Sequence, residues 1–224
     1  MNAIAKRTIP LIINVALMAG CLLGSAGRIT WWNAWALIAL STVSGMAAER
    51  VLARDPGLTA ERRNARAGKS WDKPLVGFLV LVGPMATWIT AGSELRHHGA
   101  MRIPFVASVA AAVVAAAGSV VIVWAMRTNT YFSAVVRIQS DRGHAVVSNG
   151  PYGFIRHPGY AGMSAFMVAT PAILGSRWAF VPAAVTLAVT VLRTALEDRT
   201  LRAELPGYAD YAGRVRSRLV PLVW

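Results

Sequence analysis

Apolar and polar positions along the chain separate into blocks instead of alternating. Six stretches are nearly free of charge: residues 11–26, 31–48, 75–92, 103–126, 160–174 and 178–196. Arg193 is the one charged residue inside them. A helix that crosses a bilayer needs about 20 apolar residues, with a range of roughly 17 to 25. The second, third, fourth and sixth stretches meet that length, and the first approaches it. The fifth would reach only about 22 Å at the helical rise. It reads as one arm of a tight hairpin turning at Gly175-Ser176-Arg177. The pattern predicts an all-α integral membrane protein with about six transmembrane helices, the last two a tight hairpin, and a C-terminal interfacial helix.

Composition agrees: 55% of residues are apolar and only 15% charged, against about 25% charged in soluble domains. The net charge of +13 raises the question of nucleic acid, and its distribution answers it. With the N-terminus in the cytoplasm, 19 of the 23 basic residues fall in cytoplasmic parts. The other four are Arg28, Arg96, Arg102 and Arg177. That asymmetry is the positive-inside rule, and it predicts both termini in the cytoplasm. The basic side chains then serve topology and attraction to anionic headgroups. With no recognition motif beside the charge, no nucleic-acid partner is expected.

The single cysteine, Cys21, permits no disulfide within the chain. Its expected role is packing, although Lys6 and Arg7 ahead of an apolar run ending in Ala19-Gly20-Cys21 also have the form of a lipoprotein signal. His97 and His98 lie in a short external loop with only Glu94 near them, so no metal is expected there. The Arg-rich loop 49–73 reads as a solvated segment along the headgroups, with Asp55-Pro56-Gly57 as turn chemistry.

The chain divides into a four-helix scaffold, residues 1–126, and a chemically richer region, residues 127–224. Between the fourth and fifth stretches lie 33 residues, 127–159, too many for a bare connector. They carry Asp141-Arg142-Gly143, His144-Ala145-Val146-Val147, Asn149-Gly150-Pro151-Tyr152-Gly153 and Arg156-His157-Pro158-Gly159-Tyr160. Glycines and prolines keep this loop from becoming helical and let backbone approach a ligand. Pro158 suits the first turn of the following helix. Two readings stay open here: an interfacial anchor of Tyr152, Arg156 and Tyr160, or a ligand pocket at a helix N-terminus. Arg193 and Glu197, one turn apart at the cytoplasmic end of the sixth stretch, share a face and are expected to pair. The hairpin brings Glu197 back toward His157 and Tyr160, which favours the pocket.

The run Asn129-Thr130-Tyr131-Phe132-Ser133, Gly150-Pro151-Tyr152, Arg156-His157-Pro158-Gly159-Tyr160-Ala161-Gly162, Arg193-Thr194-Ala195-Leu196-Glu197-Asp198 and Gly207-Tyr208-Ala209-Asp210-Tyr211 resembles the isoprenylcysteine carboxyl methyltransferase and phospholipid methyltransferase family of integral membrane enzymes. The resemblance spans residues 127–221. It implies an S-adenosylmethionine-dependent methyltransferase whose cofactor lies on the cytoplasmic side. It places Gln139, His144, Ala145, Val146, Val147, Tyr152, His157, Pro158, Gly159, Tyr160 and Glu197 around the cofactor. Arg193, His157 and Glu197 are then the candidate catalytic residues, with Arg193 on the substrate side holding a carboxylate or phosphate.

Methyl transfer from a sulfonium is an in-line displacement that needs positioning and dryness more than acid or base power. A thiol or amine acceptor would add a base, for which His144 or His157 is the candidate. The acceptor stays open: a lipid, a quinone-like or terpenoid molecule, or a small thiol or acid. A predominance of arginine over lysine points to a bacterial inner membrane. The alternative is an NADPH-dependent membrane reductase of the sterol-reductase type, which also carries an Arg-His motif before a tyrosine.

Overall fold

The computed structural model describes residues 3–64, 67–99 and 103–224, with side chains except those of residues 3–7 and Arg63. Of the basic residues counted above, Arg66 and Arg102 lie outside the described residues, as do the side chains of Lys6, Arg7 and Arg63. Regular structure among the described residues is entirely helical, as the blocks of apolar sequence require. The helices are α1 (Ala3–Ala26), α2 (Trp32–Arg54), α3 (Pro56–Arg63), α4 (Asp72–Gly77), α5 (Gly83–His98), α6 (Phe105–Thr128), α7 (Pro158–Leu174), α8 (Phe180–Glu204) and α9 (Tyr208–Arg214). A π-helical turn, Phe78–Val82, joins α4 to α5.

Five runs are long and apolar enough to cross a membrane: Thr8–Ala26, Trp32–Arg54, Asp72–His98, Phe105–Thr128 and Phe180–Glu204. The expected sixth crossing, α7, has 17 residues and is about 25 Å long, at the short end of what a span needs. It lies antiparallel against α6, with Ser108 near the start of α6 donating to the Ala172 carbonyl at 2.9 Å. Asn33, near the start of α2, donates to the Ile173 carbonyl at 2.6 Å. The two helices touch backbone to backbone. A Cβ on Gly118 would lie 2.5 Å from the Gly162 carbonyl oxygen, and one on Gly162 would lie 2.4 Å from that of Gly118. Small residues at such a crossing are what lets helices pack without a hydrophobic driving force.

Met18, Leu22, Leu37, Leu95, Ile173 and Leu174 close the scaffold's apolar core. Large apolar side chains such as Ile12, Val43, Val113, Val120 and Val185 point outward, as lipid-facing positions do. Hydroxyls in α8 bond back to the preceding turn, Thr190 to Thr186 at 2.9 Å and Thr194 to Thr190 at 2.8 Å, which satisfies them in an apolar medium. The α7–α8 turn forms at Gly175 in the left-handed conformation, as the hairpin pattern predicts. Glu94 secures it, accepting from Ser176 at 2.5 Å and from the Trp178 amide at 3.0 Å.

Loop 49–73 departs from its reading as a solvated connector. Asp55 caps α3, its Oδ1 accepting the Leu58 amide at 2.8 Å with Pro56 in the first turn. α3 then turns Leu58 and Glu61 inward, where both are buried. The physical reason is that Glu61 and Asp72, acids in a basic loop, find buried cationic partners in the second half of the chain.

Candidate active site

Residues 127–159 fold as a lid over the end of the bundle where α6 stops and α7 starts, and its shape follows from a few polar anchors. Glu61 Oε1 accepts Arg137 Nε at 2.8 Å and Ser133 Oγ at 3.1 Å, while Arg137 Nη2 bonds its other oxygen. The Arg137 guanidinium holds the Glu61 carboxyl below the usual carboxylate range. Gln139, buried, spends its side chain inside the lid: its amide donates to the Tyr131 carbonyl at 2.8 Å and its oxygen accepts from Arg142 at 2.5 Å. Its own backbone amide donates to His144 Nδ1 at 3.2 Å. The His144 ring lies 4.5 Å from that of Tyr131, whose hydroxyl reaches the Gly143 carbonyl at 2.9 Å. Burial and the nearby Arg137 and Arg142 push the His144 pKa below its ordinary value; because Nδ1 accepts the Gln139 amide, the neutral ring carries its proton on Nε2.

Arg193 does not pair with Glu197. Its Nε and Nη2 donate to the two oxygens of Asp72 at 2.7 and 3.1 Å, and Nη2 also reaches the Ala134 carbonyl at 3.0 Å. Asp72 is 0% exposed and accepts the Val136 amide at 2.7 Å as well. A bidentate carboxylate is a better partner than one a helical turn away, because the planar guanidinium offers two parallel donors. The guanidinium carbon also sits 5.2 Å over the Tyr160 ring. Glu197 instead accepts from the Tyr160 hydroxyl at 2.6 Å.

The third anchor is Asp198, 1% exposed. It accepts Arg156 Nε and Nη2 at 2.7 and 3.0 Å, Arg202 at 3.1 Å, Arg218 at 3.0 Å and the Tyr208 hydroxyl at 3.1 Å, with His157 Nε2 3.3 Å away. Arg156 Nη1 donates to the Val215 and Arg216 carbonyls, and the amides of Arg156 and His157 donate to those of Ser217 and Arg218. The C-terminal segment, expected as an interfacial helix and an Arg-rich strip, is thereby bound to the lid. α9 has seven residues. Its Tyr211 hydroxyl, pushed up to about 12 by burial, donates to the Tyr152 carbonyl at 2.7 Å. Burial raises the pKa of Tyr152 as well, and its hydroxyl accepts from Asn129 at 3.2 Å.

These anchors enclose a cavity of about 370 Å³, within the range of small-molecule sites. Of the residues expected around a cofactor, Gln139, His144, Ala145, Val146, Val147, Tyr152, His157, Gly159, Tyr160 and Glu197 all line it, as does Arg193. Pro158 does not; it occupies the first turn of α7, where its ring begins the helix. Gly159 is needed for the fit, since a Cβ there would lie 2.6 Å from the Phe132 ring. Sequence reasoning missed Glu61, Asp72 and Arg62 from the first half, and the buried role of Asp198. A lone acid at the start of an apolar run was the available signal for Asp72, because an ionisable group at a span needs a partner.

In the cavity wall Arg137, Arg156 and Arg193 each have a carboxylate of their own, Glu61, Asp198 and Asp72. Glu197 faces the cavity and forms no ion pair among the described residues, the Arg193 charge acting on it only at longer range.

Residues 106–205 match the family model described as phospholipid methyltransferase. No curated protein is significantly similar in sequence. In fold the chain is similar to the eukaryotic intramembrane Ras methyltransferase isoprenylcysteine carboxyl methyltransferase, with a TM-score of 0.56 and 16% identity over 100% of this chain and 88% of that one. The matched segment runs from α6 through the lid to α8, the elements that build most of the cavity. Residues 106–205 thus match the phospholipid methyltransferase family, in a chain whose fold is similar to that of an intramembrane methyltransferase.

Proposed function

We propose that the cavity binds S-adenosylmethionine and that the enzyme passes its methyl group to a lipophilic acceptor on the cytoplasmic side of the membrane. The observation that carries this reading is the charge balance of the wall. Glu197 is the one acid among the described residues lining the cavity and forms no ion pair, and aromatic rings of Tyr131, Tyr152, Tyr160 and Tyr208 surround the same space. A carboxylate among aromatic faces suits a donor that carries a sulfonium and an ammonium. A polyanionic nicotinamide dinucleotide would find three of the four arginines in the wall already paired with carboxylates.

When bound, the donor supplies an electrophilic methyl group. The chain's own contribution is binding, orientation and exclusion of water. Glu197, held by Tyr160, attracts the cationic donor; the His144–Val147 stretch and Tyr152 enclose it; His157, tied to Asp198, fixes the start of α7. Arg193, clamped by Asp72, holds the Tyr160 ring rather than an acceptor.

The test is equilibrium binding of S-adenosylmethionine and of NADPH to detergent-purified protein. Wild type should bind the methyl donor and not NADPH. Glu197→Gln should weaken donor binding by about 10- to 100-fold, the size of one charge-assisted contact. Tight NADPH binding with no donor binding would overturn the reading.

A further inference from the structure

We infer that the outer face of α8, at the end of the helix nearest the lid, binds the phosphate of an acidic phospholipid whose acyl chain lies along the same face of the span.

The sequence sets up that face. Val185, Ala188, Leu192, Ala195, Arg199 and Arg202 follow one another at alternating spacings of three and four, which puts them in one stripe along a helix. Val185, Ala188 and Leu192 are exposed, in a run long and apolar enough to cross a membrane. From Val185 to Ala195 the stripe is about 15 Å long, the depth of one leaflet of hydrocarbon. Beyond Ala195 it turns cationic.

A shallow pocket lies at that change, lined by Ala195, Asp198, Arg199, Arg202, Ala203 and Arg218. None of these residues lines the methyl-transfer cavity, so the site stands apart from that reading. Arg156, Arg202 and Arg218 bond to Asp198, and Arg199 lies in the same pocket wall. Four guanidinium groups thus surround one carboxylate. Of the other acids at this end of α8, Glu197 faces the cavity and Glu204 pairs with Lys69. The excess positive charge is left uncompensated by the chain.

Arg202 and Arg218 each reach Asp198 Oδ2 through Nε alone, at 3.1 and 3.0 Å. Their terminal nitrogens make no hydrogen bond among the described residues, and the two side chains are 43% and 31% exposed. Asp198 therefore holds both guanidinium groups by the inner edge and leaves the outer edges for another anion. Arg199 is exposed, with no hydrogen bond or ion pair among the described residues. Forks of this kind match phosphate oxygens. The alanines at 195 and 203 leave room beside them. A basic pocket that ends an apolar helix face is complementary to an acidic phospholipid. A zwitterionic lipid brings an ammonium that the surplus arginines repel, and a soluble phosphate makes no use of the apolar stripe. Arg202 belongs to α8 and Arg218 to the C-terminal segment, so one phosphate across both ties that segment to the span.

Native mass spectrometry of the full chain, released from micelles holding equal amounts of phosphatidylglycerol and phosphatidylcholine, reads the lipid retained. Wild type should prefer phosphatidylglycerol by at least about tenfold. Arg199→Gln, which has no internal bond to lose, should weaken that preference about fivefold, and the double variant Arg199→Gln/Arg202→Gln about 25-fold, at about one factor of five per arginine. Arg127→Gln, an exposed arginine at the end of α6 and outside this pocket, should keep the wild-type preference. Excess glycerol 3-phosphate should displace no lipid. An unchanged preference in Arg199→Gln, an equal loss in Arg127→Gln, which would mean general surface attraction, or displacement by glycerol 3-phosphate, which would mean a soluble anion site, would each overturn the inference.

Discussion

Asp72→Asn removes one charge from a buried ion pair that joins α4 to α8. Asp72 accepts three hydrogen bonds, two from Arg193 and one from the Val136 amide, so a neutral amide with a single acceptor oxygen leaves donors stranded. Arg193 is only 8% exposed, and leaving such a charge without its partner costs about 3–5 kcal/mol. For a chain of this size that is a fall in Tm of about 6–20 °C. Arg193→Met, which strands Asp72 instead, should cost a similar amount. The double variant removes both charges, and its loss should be smaller than the sum of the singles by at least about 2 kcal/mol. The assay is thermal denaturation in detergent of all four proteins, with S-adenosylmethionine binding as a second readout. Donor binding should fall in Asp72→Asn because the Val136 stretch of the lid is released. Additive losses in the double variant, or an unchanged Tm in Asp72→Asn, would refute the reasoning that this pair joins the two halves.

The α6–α7 crossing gives a steric prediction: Gly162→Val must separate two backbones in contact and should cost more than about 4 kcal/mol, read as loss of monodisperse protein by size exclusion. Gly24→Ala, at a helical position with no atom within 4 Å of the new Cβ, should be neutral or stabilising by up to about 1 kcal/mol. His144 predicts a pH dependence. Its pKa in the fold lies below the ordinary 6.5, so as pH falls through that value the unfolded lid takes up a proton before the folded one does. Stability is then greatest above pH 6.5 and declines below it; donor affinity should decline with it, and His144→Asn should flatten that slope. An unchanged slope in the variant would assign it to another group.

Much of this protein was legible in the order of its residues. Uncharged runs near bilayer length dictate helices, because backbone groups in lipid must be satisfied within the segment. The cluster from Tyr131 to Tyr160, with Glu197 forty residues on, marked the lid and the cavity, because a hairpin of two helices returns Glu197 to where α7 begins. Pro158 beginning α7 and Gly175 ending it followed from local chemistry alone. Partner choice did not. Arg193 with Glu197 four residues away met every local rule for a pair, yet Asp72, 121 residues earlier, took its place. Asp198, an unremarkable acid at the end of a span, gathers three arginines and a tyrosine from segments up to 42 residues distant. Local rules fix what a segment becomes, through hydrogen bonds and apolar burial within a few residues. Which charges meet in a buried site depends on geometry set by every helix at once, since a guanidinium in a dry interior takes the carboxylate the packing brings it. The same packing leaves Glu197 at the cavity wall bonded to the Tyr160 hydroxyl, without an ion pair among the described residues.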